Sequence, residues 1–296
     1  MPEKAISLLI PVDFNEQSLV ALEQSYNLAR LLQTELVLLY VHEERDFINS
    51  LFSREQKQQI SEDINHRLEE IASEVSRKTG LRVSPVVKRG KVHAAILETA
   101  SQYNSRFILM GTNDAVSDSE KNSNLIGSNT SKVIRQSQIP VITFNTKTNF
   151  DSCRSILLPL DLTKETRQKV THAIQMARLF ESTIKVVSVL WDADSKAIRQ
   201  QLMAQLNQAK NFILEAGIKC EASLLETGSS AQDLVPAILN YTAEQQDIDL
   251  IMIMTQQENR LVEYFIGSLA QQIIRESPVP VMSIIPKDLG FSYIQF

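Results

Sequence analysis

The chain has 296 residues, 43% of them hydrophobic and 22% charged, with a net charge of -5, as expected for a globular protein with room for two ordinary cores. The mild acidity comes with no basic run and no aromatic–basic interleaving, which argues against nucleic acid as a partner. Apolar stretches are strand-length and broken by Pro, Asp or Glu, so no membrane span is expected, and Cys153 and Cys220 are too few for a disulfide framework or a zinc site. Leu8-Leu9-Ile10 runs straight into Pro11 and Asp13 without the long apolar core of a signal peptide, and a reducing cytoplasm is the expected compartment.

In chain order, Ile6–Val12 is a short apolar run fit for burial on both faces. Glu16–Leu32 follows as a helix with Leu22, Tyr26, Ala29 and Leu32 on one stripe. Glu35–Val41 is a near-continuous apolar strand, and a longer helix then places Ile60, Ile64, Leu68, Ile71 and Val75 on one face. Strand Leu81–Val87, helix Val92–Gln102, strand Phe107–Met110, helix Leu125–Gln136 and strand Val141–Phe144 complete the first half. The second half repeats the pattern. Val170, Ile174, Ala177 and Phe180 form its first helical stripe, Thr183–Val189 its second strand, and Ile198, Leu202, Leu206, Ala209 and Phe212 the face of its long helix.

The repetition extends to words. Leu9-Ile-Pro-Val-Asp13 recurs as Leu157-Leu-Pro-Leu-Asp161, and Ile126-Gly127-Ser128 as Ile266-Gly267-Ser268. An offset of 148 residues aligns the two halves at their starts and one of 140 at their ends. This predicts two tandem domains, 1–147 and 152–286, followed by a tail, 287–296, whose aromatic residues suit docking rather than solvation. The period is too long for a solenoid. Apolar strands alternating with helices predict an α/β fold, a doubly wound five-stranded parallel sheet in each domain. Pro140 and Pro280 open the last strand of each half, where a missing N–H does least harm. Those last strands are β-prone, uncharged edges, so the halves are expected to pair through them, with a homodimer of whole chains as an addition.

Ligands in such sheets sit beyond the carboxyl ends of the strands, where the strand order reverses. Three features converge there: Asp13 or Asp161 after strand one, the turn Met110-Gly111-Thr112-Asn113-Asp114 after strand four, and Gly127-Ser128 or Gly267-Ser268 opening the last helix. Glycine admits close approach of a phosphate, and helix N-terminal amides supply donors. Each feature has a plain counterpart. Asp13 and Asp161 suit N-caps, Gly127-Ser128 and Gly267-Ser268 suit helix starts, and the polar stretch Thr112–Asn124 suits a loop as well as a lid. Gly90 and Gly228 read as turn glycines, Lys88, Arg89 and Lys91 as a solvated loop, and the cysteines as inert. His42, His66, His93 and His172 lack metal-ligand spacing. Trp191 lines or plugs the second crevice. No catalytic constellation is present.

Strand-Pro-Val-Asp, a Gly-Thr turn after strand four, and Ile-Gly-Ser before a helix ending in Pro-Val resemble the universal stress protein family over almost the whole chain, as two tandem domains. The resemblance implies a Rossmann-like fold of strand order 3-2-1-4-5, pairing through the fifth strand, and a division into members that do and do not bind ATP. The binders carry Gly, two residues, Gly, nine residues, then Gly with Ser or Thr. Here Asp114 stands at the second glycine position of the first half, and Gly127 arrives three residues late. In the second half Met254 and Gln257 replace both glycines, the methionine being expected to project where backbone should cradle phosphate. By the resemblance, Pro11, Asp13, Val41, Gly111, Gly127 and Ser128 are the nucleotide-binding residues of domain 1, with Val41 packing on the base. Asp161, Val189, Gly267 and Ser268 are their degenerate counterparts. The implied cofactor is ATP with magnesium, and the implied function a cytoplasmic regulatory or protective binding module rather than an enzyme. A ligand-free dimerisation scaffold and a weak ATPase using Asp114 are the alternatives.

Overall fold

The computed structural model describes residues 6–43, 53–112, 126–146, 148–160, 166–190, 196–227, 233–255 and 268–285. Within them the first half runs β1 (Ser7–Pro11), α1 (Glu16–Leu32), β2 (Glu35–His42), α2 (Arg54–Thr79), β3 (Val83–Arg89), α3 (Val92–Gln102), β4 (Ser105–Gly111), α4 (Ser128–Gln136) and β5 (Val141–Phe144). The second half repeats it as β6 (Ser155–Pro159), α5 (Thr166–Phe180), β7 (Thr183–Leu190), α6 (Lys196–Glu215), β8 (Cys220–Glu226), α7 (Leu234–Glu244), β9 (Ile248–Met254), α8 (Ser268–Glu276) and β10 (Val281–Ile284).

Local chemistry fixes the helix ends. Asn15 caps α1 by accepting the Ser18 N–H at 2.8 Å, and Gln33 ends it in the left-handed region. Ser53 and Gln56 close a reciprocal capping box on α2, and Gly80 ends that helix at φ 74°. The N-cap role is therefore Asn15's and not Asp13's. Aspartate is a good cap, but here it lies two residues upstream and its carboxylate accepts from Asn15 instead.

Each half has strand order 3-2-1-4-5, and the two sheets fuse into one of ten strands, β3-β2-β1-β4-β5-β10-β9-β6-β7-β8. All pairings are parallel except the junction, where β10 and β5 run antiparallel with Met282 opposite Ile142. The halves thus pair through their last strands. Asn145 reinforces the seam by donating to the carbonyls of Ser277 (2.9 Å) and Arg275 (3.3 Å), and the Phe107 and Phe180 rings stack across it at 5.9 Å.

Alternate residues of each strand enter two apolar layers. Leu8, Ile10, Phe107 and Leu109 face one, with α1 and α2, and Leu9, Val37, Ile108 and Met110 face the other, with α3 and α4. Each such side chain contributes about 1.5–3 kcal/mol when fully buried. Helix α6 departs from the expected stripe. Ala209 is followed on the core side by Ile213, fully buried, while Phe212 is 42% exposed. Steps of three and four residues both suit a 3.6-residue period, and the sheet accepts the second. On α2 the stripe outruns the core, leaving Ile60 exposed.

Candidate functional site

The topology itself opens a crevice in each half. β1 pairs with β2 as far as Pro11 opposite Leu39, but its pairing with β4 ends at Leu9 opposite Ile108. β6 behaves identically, reaching Pro159 beside β7 but only Leu157 beside β9. At the carboxyl ends the central strands therefore part, at the switch point between strands one and four.

In the first half this gap brings most of the expected residues together. Pro11 is half-buried at the end of β1, and Asp13 is exposed just beyond it. Val41 is half-buried on the face of the sheet that also carries Met110 and Ile126. Gly111 ends β4, and Gly127-Ser128 opens α4 opposite it.

The two glycines have structural duties of their own. A Cβ on Gly111 would lie 2.9 Å from the Gln17 Cβ and 3.1 Å from the Gln17 backbone. Glycine is thus required there by the close approach of α1, whether or not a ligand is present. The Gly111 carbonyl accepts from the Thr130 hydroxyl at 3.0 Å, and Thr112 reaches Gln17 Oε1 at 3.1 Å. Gly127 donates its N–H to the Thr112 carbonyl at 2.8 Å, so this amide is engaged within the protein and does not face a phosphate. The amides that follow it, from Ser128 to Thr130, form the first turn of α4, which carries the positive end of the helix dipole.

Electrostatics add what the sequence reading missed. His93, near the start of α3, has its pKa lowered by burial and then by the charges of Lys132, Lys91 and Arg135. Lys132 and Arg135 share a face of α4 with Ser128, at helical steps of four and three; Lys132 lies about one turn in from the N-terminus and Arg135 in the last turn, and both act on His93. Lys91 and His93 stand far from Lys132 and Arg135 in the sequence, and only the packing of α3 on α4 unites the four. On the opposite face Phe14, at φ 64°, stacks on Tyr40 with ring centroids 5.0 Å apart. Burial, and then the charge of Asp13, raises the Tyr40 pKa.

The second half keeps the opening and, apart from Arg275 at the place of Arg135, loses the charge. Val189 is half-buried like Val41, and Ser268 opens α8. The aligned positions of α7 and α8 carry Asp233 for Lys91, Val235 for His93 and Gln272 for Lys132. Met254 corrects an expectation. Its side chain is 7% exposed and joins the core layer of Leu158, Met252 and Met282, on the sheet face away from α7 and α8, because residue 254 continues the alternation of Leu250 and Met252. It therefore does not project into the place of a phosphate loop. Asp114, Asp161, Trp191, Gly228, Gln257, Gly267 and the 287–296 tail lie outside the described residues.

Neither thiol is activated, since burial pushes Cys153 up to about 12 and Cys220 to about 11. Among the described residues no group of three or more His, Cys, Asp or Glu is placed to hold a metal ion, and no helix is long and apolar enough to cross a membrane.

A profile of the universal stress protein family matches residues 7–145 and 153–284. The chain belongs to that family and carries its domain twice. Two universal stress proteins of Methanocaldococcus jannaschii are similar to it. One is 28% identical over 157 residues, covering 47% of this chain and 94% of its own length. The other is 24% identical over 144 residues, covering 44% and 81%. A solved universal stress protein from Archaeoglobus fulgidus shares the fold along nearly the whole length, with TM-score 0.72, 20% identity, and coverage of 95% of this chain and 97% of that one.

Proposed function

We propose that the first-half crevice binds an adenine nucleotide, ATP with magnesium, and that the protein works in the cytoplasm as a regulatory or protective binding module of the stress response rather than as an enzyme. The observation that supports it most is the meeting of two helix starts beyond the parted strands: the α4 N-terminus with Lys132 one turn in, and the start of α3 with Lys91 and His93, which senses the Lys132 charge. A helix N-terminus with adjacent cations suits a polyphosphate. Pro11 and Val41 offer apolar contact to a base, and the exposed Asp13 carboxylate an acceptor for a base or ribose. The second half, with Asp233 and Gln272 at the matching places, is the weaker binder. The last strands already pair with each other, so a homodimer of whole chains requires another surface.

Calorimetry with ATP and magnesium on the wild type and on Ser128→Asp tests this. An acidic residue in the first turn suits the helix dipole, so the variant should fold at least as stably. It should nevertheless bind ATP at least about tenfold more weakly through charge repulsion. No saturable heat from the wild type, or equal affinities from both proteins, would overturn the reading.

A further inference from the structure

Strand β8 is one outer edge of the ten-stranded sheet, and β3 is the other. In a parallel ladder successive residues turn their N–H and C=O groups to alternate sides. The Ile184 N–H donates to the Lys219 carbonyl at 2.9 Å, and the Thr227 N–H to the Leu190 carbonyl at 3.0 Å. Odd-numbered residues of β8 therefore face β7, and the amides of Ala222 and Leu224 face outward. On β3 the parity is reversed, because Leu36 donates to the Arg82 carbonyl and Gly90 to the His42 carbonyl. Its outward positions include Pro85, opposite Leu38, just as Ala222 lies opposite Val186. The first half thus removes one donor from the middle of its edge, and the second half keeps a donor at the equivalent place.

Beside β8 lies a groove of about 510 Å³ against α7. Leu225, Pro236 and Tyr241 form part of its apolar lining. Glu226, Asp233 and Glu244 supply three carboxylates, and no Lys, Arg or His is among the lining residues. Arg199 holds Glu226 through two hydrogen bonds and leaves the other two carboxylates to set the charge. A second copy is a poor occupant. Antiparallel pairing of two β8 strands about Ser223 sets Glu226 against Cys220 and brings two copies of this acidic groove onto one face of the joined sheet, and the basic edge of β3 presents Pro85.

We propose that β8 and this groove take up an extended, basic segment of a partner protein as an eleventh strand, with main-chain bonds to Ala222 and Leu224 and basic side chains over Asp233 and Glu244. Fluorescence anisotropy of the full chain with a labelled peptide of about ten alternating Val and Lys residues, and with its Val–Glu counterpart, is the test, its length chosen to span one strand. The Val–Lys peptide should bind saturably and the Val–Glu peptide should not. Ala222→Pro repeats at β8 what Pro85 does at β3 and should weaken binding at least about tenfold, at unchanged Tm. Glu244→Lys, on the helix and clear of the strand, should weaken it comparably by charge alone, and it serves should Ala222→Pro fail to fold. No binding by the wild type, or binding indifferent to either folded variant, overturns the proposal. Self-association abolished by Ala222→Pro, without peptide binding, names a second copy as the occupant and overturns it equally.

Discussion

At the end of β4 the first half has Gly111 and lets α1 approach to contact, whereas at the end of β9 the second half has Met254 and buries a long side chain on the same face. Around the crevice the first half has Lys91, His93 and Lys132 where the second has Asp233, Val235 and Gln272. At the outer edges Pro85 stands against Ala222. Strand order and the parting of the central strands are nonetheless the same in both. The fold therefore rests on strands buried on both faces, which both halves keep, while charge and edge chemistry have diverged on top of it. A single ligand preference for both crevices therefore does not follow from the duplication.

Exchanging the residues at the strand-four ends should have the largest effect on stability. Gly111→Met must drive a side chain into the Gln17 backbone, which cannot yield without moving the first turn of α1. The expected cost is about 3 kcal/mol or more, beyond ordinary overpacking because backbone and not a side-chain tip is met. Met254→Ala should cost about 2–4 kcal/mol through the cavity left in the Leu158–Met252–Met282 layer. Urea-unfolding midpoints measure both. If Gly111→Met stays within about 0.5 kcal/mol of wild type, the size of a neutral surface change, then α1 does not constrain residue 111.

A milder exchange concerns the second strand. Val37 lies opposite Leu9, and Lys185, only 4% exposed, lies opposite Leu157 in the same register. The lysine is satisfied by Asp247 at 2.8 Å, Gln245 at 3.0 Å and Glu221 at 3.4 Å. Burial opposes its charge, but the Asp247 hydrogen bond and charge, with Glu221, outweigh it and its pKa rises. Asp247 is held below its usual range despite partial burial, by hydrogen bonds from Lys185 and Ser155. Asp247→Ala should cost about 1–2 kcal/mol, less than a fully buried pair because the carboxylate is half-exposed. Lys185→Val added to it should recover most of that loss by restoring the first-half chemistry, and a double-mutant cycle reads the coupling. Since the folded Asp247 pKa is depressed, its contribution is present above the ordinary value near 4 and is lost as pH falls through the folded one. Additive losses in the double variant would show that the pair is not coupled.

Much of this architecture was legible in the sequence, because runs such as Leu8-Leu9-Ile10 and Leu36–Leu39 are apolar at every position and admit only a strand covered on both sides. Pro11, Asp13, Gly111 and Gly127 could be placed near one opening from their positions after strands and before a helix. Their duties could not be read, since Asn15 rather than Asp13 caps α1 and Gly111 answers to Gln17, a contact made only when α1 packs against the end of β4. Nor could the basic group, whose members Lys91, His93, Lys132 and Arg135 belong to two helices brought together only by packing. Phe212 and Ile213 were equally compatible with a helical period until the sheet chose between them.

The smallest expected effect separates the crevices by proton linkage. His93 is less basic than an ordinary histidine because burial and then Lys132, Lys91 and Arg135 oppose its charged form, whereas the second half has Val235 there. A histidine with a lowered folded pKa binds fewer protons folded than unfolded between that value and about 6.5. Stability should therefore rise with pH across this window and decline as pH falls through it, and His93→Val should flatten the slope. A polyphosphate bound beside Lys132 reverses the local field and favours the imidazolium. ATP binding should then take up a fraction of a proton near pH 6, and calorimetry in two buffers of different ionisation enthalpy should show that uptake in the wild type and not in His93→Val. Equal uptake in both proteins would show that His93 does not sense the bound phosphates and would place them away from the α3–α4 side.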